Sequence, residues 1–396
     1  MFSDRTNWKL TRNRLTEALE EVRAGGAKIL DLTLSNPTEA GLKYDEAAIL
    51  HALASPRALE YDPQPKGLPV ARDAVAEYYR ATHGIPNFDS DRLILATSTS
   101  EGYSFVFRLL CNPGDEVLVP KPSYPLFEFL ADLQDVRLVP YPLIYDHGWQ
   151  MDFPSLDKAV TGRTRAVVVV HPNNPTGSYV QAHERELLNR FCRDHGLAII
   201  ADEVFLDYAI EERPNKKLPG DSFAASRDVL TFTLSGVSKI SALPQMKVAW
   251  IATSGPEEEV APALARLEII ADTFLSMNAP VQWATPALLA QRESIQRQLL
   301  HRVRANLAEL DRQLTRQKSC ERLHVQAGWY AVLRVPVTRT DEELAVDLLR
   351  HKSVLTHPGH FYDFPSDGYL VLSLIAPEAE FRVGVSRILE LMMAEC

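Results

Sequence analysis

The sequence predicts an α/β fold in which a large, mostly parallel sheet lies between helices and a smaller α/β lobe is joined to it. Three observations carry this. Seven short β runs alternate with helical patterns between residues 93 and 253. Several of the runs are apolar without a break, as in strands covered on both faces. Beyond Gly255 the pattern changes to long amphipathic helices and then to two more strands.

The elements follow in order. The first 45 residues precede the alternating pattern and are assigned to the smaller lobe. LILA (93–96) leads into the helical pattern EGYSFVFRLL, and EVLVP (116–120) and VRLVPY (136–141) come next. AVVVVH (166–171) is followed by helical HERELLNRFCRDH and then by LAIIAD (197–202). VLTFTL (229–234) and VAWIAT (248–253) complete the set. Strands alternating with helices are the signature of a layered α/β sheet. Residues 256–275 and 281–317 read as long amphipathic helices, with Pro280 and Pro286 marking starts or breaks. GWYAVLRV and YLVLSLI read as strands of the smaller lobe. The predicted division is 46–285 for the large domain, and 1–45 with 286–396 for the small one.

Bulk properties agree. A chain of 396 residues is long for one core. A net charge of -10 argues against nucleic-acid binding, which needs a basic surface. Cys111, Cys192, Cys320 and Cys396 are widely spaced and form no CxxC pair, which suggests neither a disulfide framework nor a zinc site. The stretch MFSDRTNWKLTRNR lacks the apolar core of a signal peptide. No apolar run approaches membrane-spanning length. The expectation is a cytoplasmic protein without a membrane partner.

Ligands of open α/β sheets bind beyond the carboxyl ends of the strands, so the residues after each run matter most. After LILA, Thr97-Ser98-Thr99-Ser100-Glu101 opens a helix; its hydroxyls and free N–H groups suit a phosphate, or a plain N-cap. After EVLVP, Tyr124 in KPSYPLF can stack on a planar ligand or simply pack. After AVVVV, Asn174 in HPNNPTG offers an amide, or marks an Asn-Pro turn. After LAIIA come Asp202 and Glu203. A buried acid needs a partner, which a protonated ring nitrogen, a helix cap or an arginine would supply. After VLTFTL, the loop Ser235-Gly236-Val237-Ser238 presents Lys239. Partial desolvation there favours the neutral amine that a Schiff base requires, and a surface lysine is the plain alternative.

Taken together, a phosphate site, a stacking ring, an amide, an acid and an amine fit one cofactor, pyridoxal 5'-phosphate. Its chemistry needs a lysine Schiff base and an acidic partner for the pyridinium nitrogen.

The chain resembles the class I/II aminotransferases, the fold-type-I enzymes that use this cofactor, across residues 30–390. The pieces are YDPQPKGLPVAR, TSTSEGYSF, NPGDEVLVPKPSYPLF, HPNNPTG, ADEVFLDY, SGVSK and HPGHFYDF. The resemblance implies a seven-stranded sheet, a homodimer with shared active sites, and transfer of an amino group from a donor to a keto acid. It implies Lys239 as Schiff-base lysine and proton shuttle, Asp202 at the ring nitrogen, Asn174 at the phenolic oxygen and Tyr124 as the stacking ring. It also implies Ser98, Thr99, Ser100 and Ser235 as phosphate ligands, with Tyr61 reaching the phosphate of a second subunit.

Three departures stand out. Lys247 occupies the place of a phosphate-binding arginine and cannot form the planar fork. Phe205 takes the place of a tyrosine, which removes a hydroxyl donor. Val371, in GYLVLSLIAP, takes the place of the arginine that binds the substrate α-carboxylate, and an aliphatic side chain cannot pair with a carboxylate. Arg334 and Lys66 are candidates to replace it. His357 and His360 in HPGH are assigned no metal. The alternatives to transamination are a lyase, decarboxylase or racemase on the same scaffold, or a cofactor-binding protein with degraded catalysis.

Overall fold

The computed structural model describes residues 1–8, 10–125, 127–210 and 222–394. In chain order its strands are β1 (Leu30–Asp31), β2 (Leu93–Ala96), β3 (Glu116–Lys121), β4 (Arg137–Tyr145), β5 (Trp149–Met151), β6 (Thr164–Val170) and β7 (Ala198–Asp202). They continue with β8 (Thr231–Gly236), β9 (Ala249–Ser254), β10 (Glu321–Arg322), β11 (Tyr330–Arg334), β12 (Val354–Leu355), β13 (His357–Pro358) and β14 (Tyr369–Ser373).

All seven apolar runs become neighbouring strands of one sheet. Among the described residues its order is β2-β9-β8-β7-β6-β3-β4-β5. The pairs β4/β3, β3/β6, β6/β7 and β7/β8 are parallel, and β9 is antiparallel to both β8 and β2. The eighth strand, β5, extends the seven-stranded sheet implied by the resemblance by hairpinning back onto β4 at the edge. Three residues are too few to form a recognisable run.

Alternation along the central strands shows why they read as unbroken apolar segments. Ala166, Val168, Val170 and Ile200 face a core shared with Phe105, Val106 and Leu267 from the helices Thr99–Leu110 and Glu257–Thr273. Val167, Val169, Ile199 and Ala201 face the opposite core, with Leu188 and Cys192 from the helix Ala182–His195. Successive side chains point to opposite faces of a strand, and here both faces are covered.

The second sheet has the order β10-β11-β14-β13. Its core takes Ile295, Leu299 and Val303 from the helix Arg292–Leu314, and Phe381 and Val385 from the helix Glu378–Ala394. The N-terminal segment joins this core through Leu30, Leu32 and Ala40, and β1 pairs in parallel with β12. The predicted helix over 281–317 is two helices, Ala279–Ala290 and Arg292–Leu314. The break falls at Gln291, and Pro286 lies inside the first of them. Packing decides this: the first helix buries Val281, Ala284 and Leu288 beside Val75 and Tyr79 of the helix Pro69–His83, whereas the second joins the core of the smaller sheet.

The two sheets meet at the HPNNPTG turn. Gly177 O accepts from Gln326 N and Ala327 N at 3.2 and 3.0 Å. Gly177 has φ +68°, and an added Cβ would lie 2.4 Å from Ala327 O. Both the left-handed backbone and the contact demand glycine. Gly177→Ala is expected to cost at least about 2 kcal/mol, measured as a lowered thermal unfolding midpoint. An unchanged midpoint would contradict this close approach.

Candidate active site

The site is built by register. Val170, Asp202 and Leu234 lie side by side across β6, β7 and β8. The backbone keeps the chain ends level for one more step, with His171 N donating to Asp202 O and Glu203 N to Leu234 O, both at 2.8 Å. Three segments therefore leave the sheet together: the one carrying Asn174, the one carrying Phe205, and the one carrying Lys239. On the other side, Ala96 pairs with Ala249, which pairs with Gly236. The end of β2 and the start of β9 thus reach the same edge, bringing Ser98 and Lys247 there too. Gly236 permits the crossing, since a Cβ would stand 2.8 Å from Val248 O.

Asp202 is buried at the tip of β7. Its Oδ1 accepts from Val204 N at 3.1 Å and its Oδ2 from Tyr103 Oη at 3.2 Å. Burial pushes its carboxyl up to about 6, against these two hydrogen bonds and the charge of Lys239. Glu203, also buried, rises to about 7 by desolvation, although Phe223 N and Ser222 Oγ donate to it. Lys239 follows β8 on the short helix Val237–Ile240. Its Nζ lies 4.7 Å from the Trp329 ring centre and 5.6 Å from that of Phe205. Desolvation lowers the amine to about 8, opposed by the charge of Asp202. An acid held up and an amine held down, within each other's field, are characteristic of a functional cleft.

The remaining predicted residues surround this pair. Asn174 is buried, and its Oδ1 has no hydrogen-bond partner among the described residues. Tyr124 is 41 % exposed. Its phenol is raised by surrounding protein and then by the charge of Asp202. Ser98 caps the helix Thr99–Leu110 by accepting from Glu101 N at 3.2 Å, and Thr99 and Ser100 form its first turn. Ser235 is buried at the end of β8. Lys247 is exposed in a left-handed turn, φ 56°, ahead of β9. Tyr61 is 79 % exposed on its own chain. A cleft of about 600 Å³ opens over Lys239 between Ser35–Thr38 and Pro244–Gln245.

The structure does not bring every candidate here. Val371 is 1 % exposed and sits on β14 between Val332 and His357, within the apolar core. Arg334 is spent on an exposed ion pair with Glu321. Lys66 bonds Asp91 O at 3.3 Å and lies 3.7 Å from Glu268. His357 Nδ1 shares a 3.0 Å hydrogen bond with Tyr362 Oη, and His360 packs against the Phe361 ring. Two neighbours of the site carry no role of their own in the sequence reading. Tyr103 was signalled only by helical spacing from Thr99, and Trp329 by an aromatic in a strand pattern.

The residues fit pyridoxal phosphate: the desolvated Asp202 and Lys239, the Asn174 amide and the helix N-terminus at Ser98 lie at one edge of the sheet. Comparison with known proteins agrees. The family described as aminotransferase class I and II matches residues 27–388. An alanine aminotransferase of Mycobacterium tuberculosis is 28% identical over 377 residues, 93% of this chain and 86% of that protein. A glutamate-pyruvate aminotransferase of Haemophilus influenzae is 28% identical over 359 residues, 88% of this chain and 87% of that one. The solved alanine aminotransferase of Pyrococcus furiosus superimposes with a TM-score of 0.88 at 22% identity, covering 100% of both chains, which is a likeness of fold. The chain belongs to the class I and II aminotransferases, enzymes that move amino groups with pyridoxal 5'-phosphate.

Proposed function

We propose that this aminotransferase works through Lys239, which carries the cofactor between turnovers and moves the substrate proton. The convergence of Lys239, Asp202 and the Asn174 amide at level strand ends supports this reading above all. When bound, pyridoxal phosphate supplies an aldehyde that receives the amine and a protonated ring that draws electron density from the substrate Cα. Lys239 Nζ, neutral above about 8, takes the proton from Cα and passes it on. Asp202 keeps a proton on the ring nitrogen, and burial makes its carboxylate depend on that partner. Asn174 orients the ring from the phenolic side and Tyr124 covers its face. Ser98, Thr99, Ser100 and Ser235 hold the phosphate at the helix N-terminus, with Lys247 as a point charge.

Around this site we place a large domain over 46–285 and a small one over 1–45 and 286–396, consistent with one sheet lying within 93–254 and the other within 321–373. The exposed Tyr61 supports a homodimer in which it reaches the phosphate of a second copy. The cytoplasm is the expected compartment. The names of the relatives make alanine, and glutamate with pyruvate, the first donor and acceptor pairs to try. The partner for their carboxylates is a group other than Val371.

Purified chain with pyridoxal phosphate is expected to show a visible absorption band that amino donors convert to the pyridoxamine form. Lys239→Ala should lose both band and conversion; a band that no donor alters would sink the transaminase chemistry of this site. In the cofactor-free chain, the Lys239 amine should react with an acylating reagent with a midpoint near pH 8. The charge of Asp202 favours the ammonium, so Asp202→Asn should move that midpoint lower still, and an upward shift would contradict the pairing. Lys247→Ala is expected to weaken cofactor binding about tenfold, read by titrating the absorption band.

A further inference from the structure

Lys239 stands on a helix too short to satisfy its own carbonyls. That helix has four residues, and the last carbonyls of any helix lack intrahelical partners. Three side chains from separate segments supply donors, two to the helix and one to Ala242 just beyond it. Tyr208 Oη donates to Lys239 O at 2.6 Å. Gln296 Nε2, from the helix Arg292–Leu314, donates to Ile240 O at 2.9 Å. Tyr44 Oη, from the N-terminal segment, donates to Ala242 O at 2.8 Å. The backbone adds a longer bond to Lys239 O, from Ala242 N at 3.2 Å. Ala242 is left-handed, φ 52°, so the chain swings away directly after the lysine turn.

The donors are themselves fixed. Tyr208 is fully buried, with its ring edge-on to Trp329 at 5.1 Å and to Phe205 at 6.3 Å. Those are the two rings against which Lys239 Nζ rests. Burial raises the phenols of Tyr208 and Tyr44, the latter to about 12, so both stay protonated donors. Gln296 Nε2 also donates to Asp207 Oδ2 at 2.8 Å. Asp207 in turn accepts from Tyr78 Oη at 3.1 Å and pairs with His83 at 3.2 Å.

We propose that Tyr208, supported by Gln296 and Tyr44, is a positioning residue for proton transfer: its hydroxyl holds the Lys239 backbone where Nζ meets the substrate carbon. This rests on the proposed role of Lys239. None of the three touches the reacting atoms in that reading. Loss of one donor therefore slows transfer while substrate binding holds, because proton transfer depends on sub-ångström placement.

The test uses Tyr208→Phe, Gln296→Leu and Tyr44→Phe in the full chain. Tyr141→Phe is the matched control, since Tyr141 Oη makes the same kind of buried bond, to Val168 O at 2.8 Å. One readout is exchange of the donor Cα–H into heavy water with pyridoxal phosphate bound, at saturating amounts of the best donor in an amino-acid panel. The other is the pH midpoint of Lys239 acylation in cofactor-free protein. Tyr208→Phe is expected to slow exchange about tenfold or more while half-saturation stays within about twofold. The acylation midpoint should rise above about 8 as the amine gains water. Gln296→Leu and Tyr44→Phe should act in the same direction but less, and Tyr141→Phe should leave both readouts alone. Unchanged readouts in Tyr208→Phe, or equal effects from Tyr141→Phe, would overturn the proposal. If Tyr208→Phe fails to fold, Gln296→Leu decides by the same criteria. Exchange that survives in Lys239→Ala would mean that the role of Lys239 itself is wrong. A silent Lys239→Ala beside a wild-type-like Tyr208→Phe would remove the positioning role alone.

Discussion

The parallel register of β6, β7 and β8 is the constraint on which the rest of the site depends. With Val170, Asp202 and Leu234 in one row, the chain leaves the sheet three times at the same height. An amide, a carboxylate and an amine then arrive at one edge from positions far apart in sequence. Asp202 is also buried at that edge. Burial drives the carboxyl of Asp202 up and the amine of Lys239 down, each away from its charged form. Opposite shifts of this kind favour a ligand that offers a cation to the acid and an electrophile to the amine, which is what the proposed roles of Asp202 and Lys239 require.

The antiparallel insertion of β9 between β8 and β2 completes the edge. It returns the chain to the end where it left, so the turn carrying Lys247 and the helix start at Ser98 flank the lysine loop. A wholly parallel arrangement would have placed the start of β9 at the opposite edge. Gly236 pays the geometric cost of that return through its missing Cβ.

Much of this is legible in the sequence. Continuous apolar runs mark doubly covered strands; all seven runs became strands, and the central ones are covered on both faces. The polar residues directly after the runs were legible as well, since strand ends and ligand sites coincide in open sheets. Less legible were groups that act across the fold. Tyr103 reaches Asp202 from a helix, Trp329 underlies Lys239 from just ahead of β11, and Tyr208 bonds the lysine carbonyl from beyond β7. Each looks locally like an ordinary core aromatic. Pro286 marked a helix break by local rules, yet the break moved to Gln291 because the two halves pack into different cores.

The sequence by itself determined the identities: which runs are strands, which acid, amide and amine follow them, and that an aliphatic residue stands at Val371. Period and composition are local properties, and they survive without a fold. The tertiary structure decided the adjacencies: strand order, the level of the strand ends, the burial of Val371 between Val332 and His357, and the donors on the lysine turn. Those depend on pairings between distant segments, and no local pattern encodes which segments will meet.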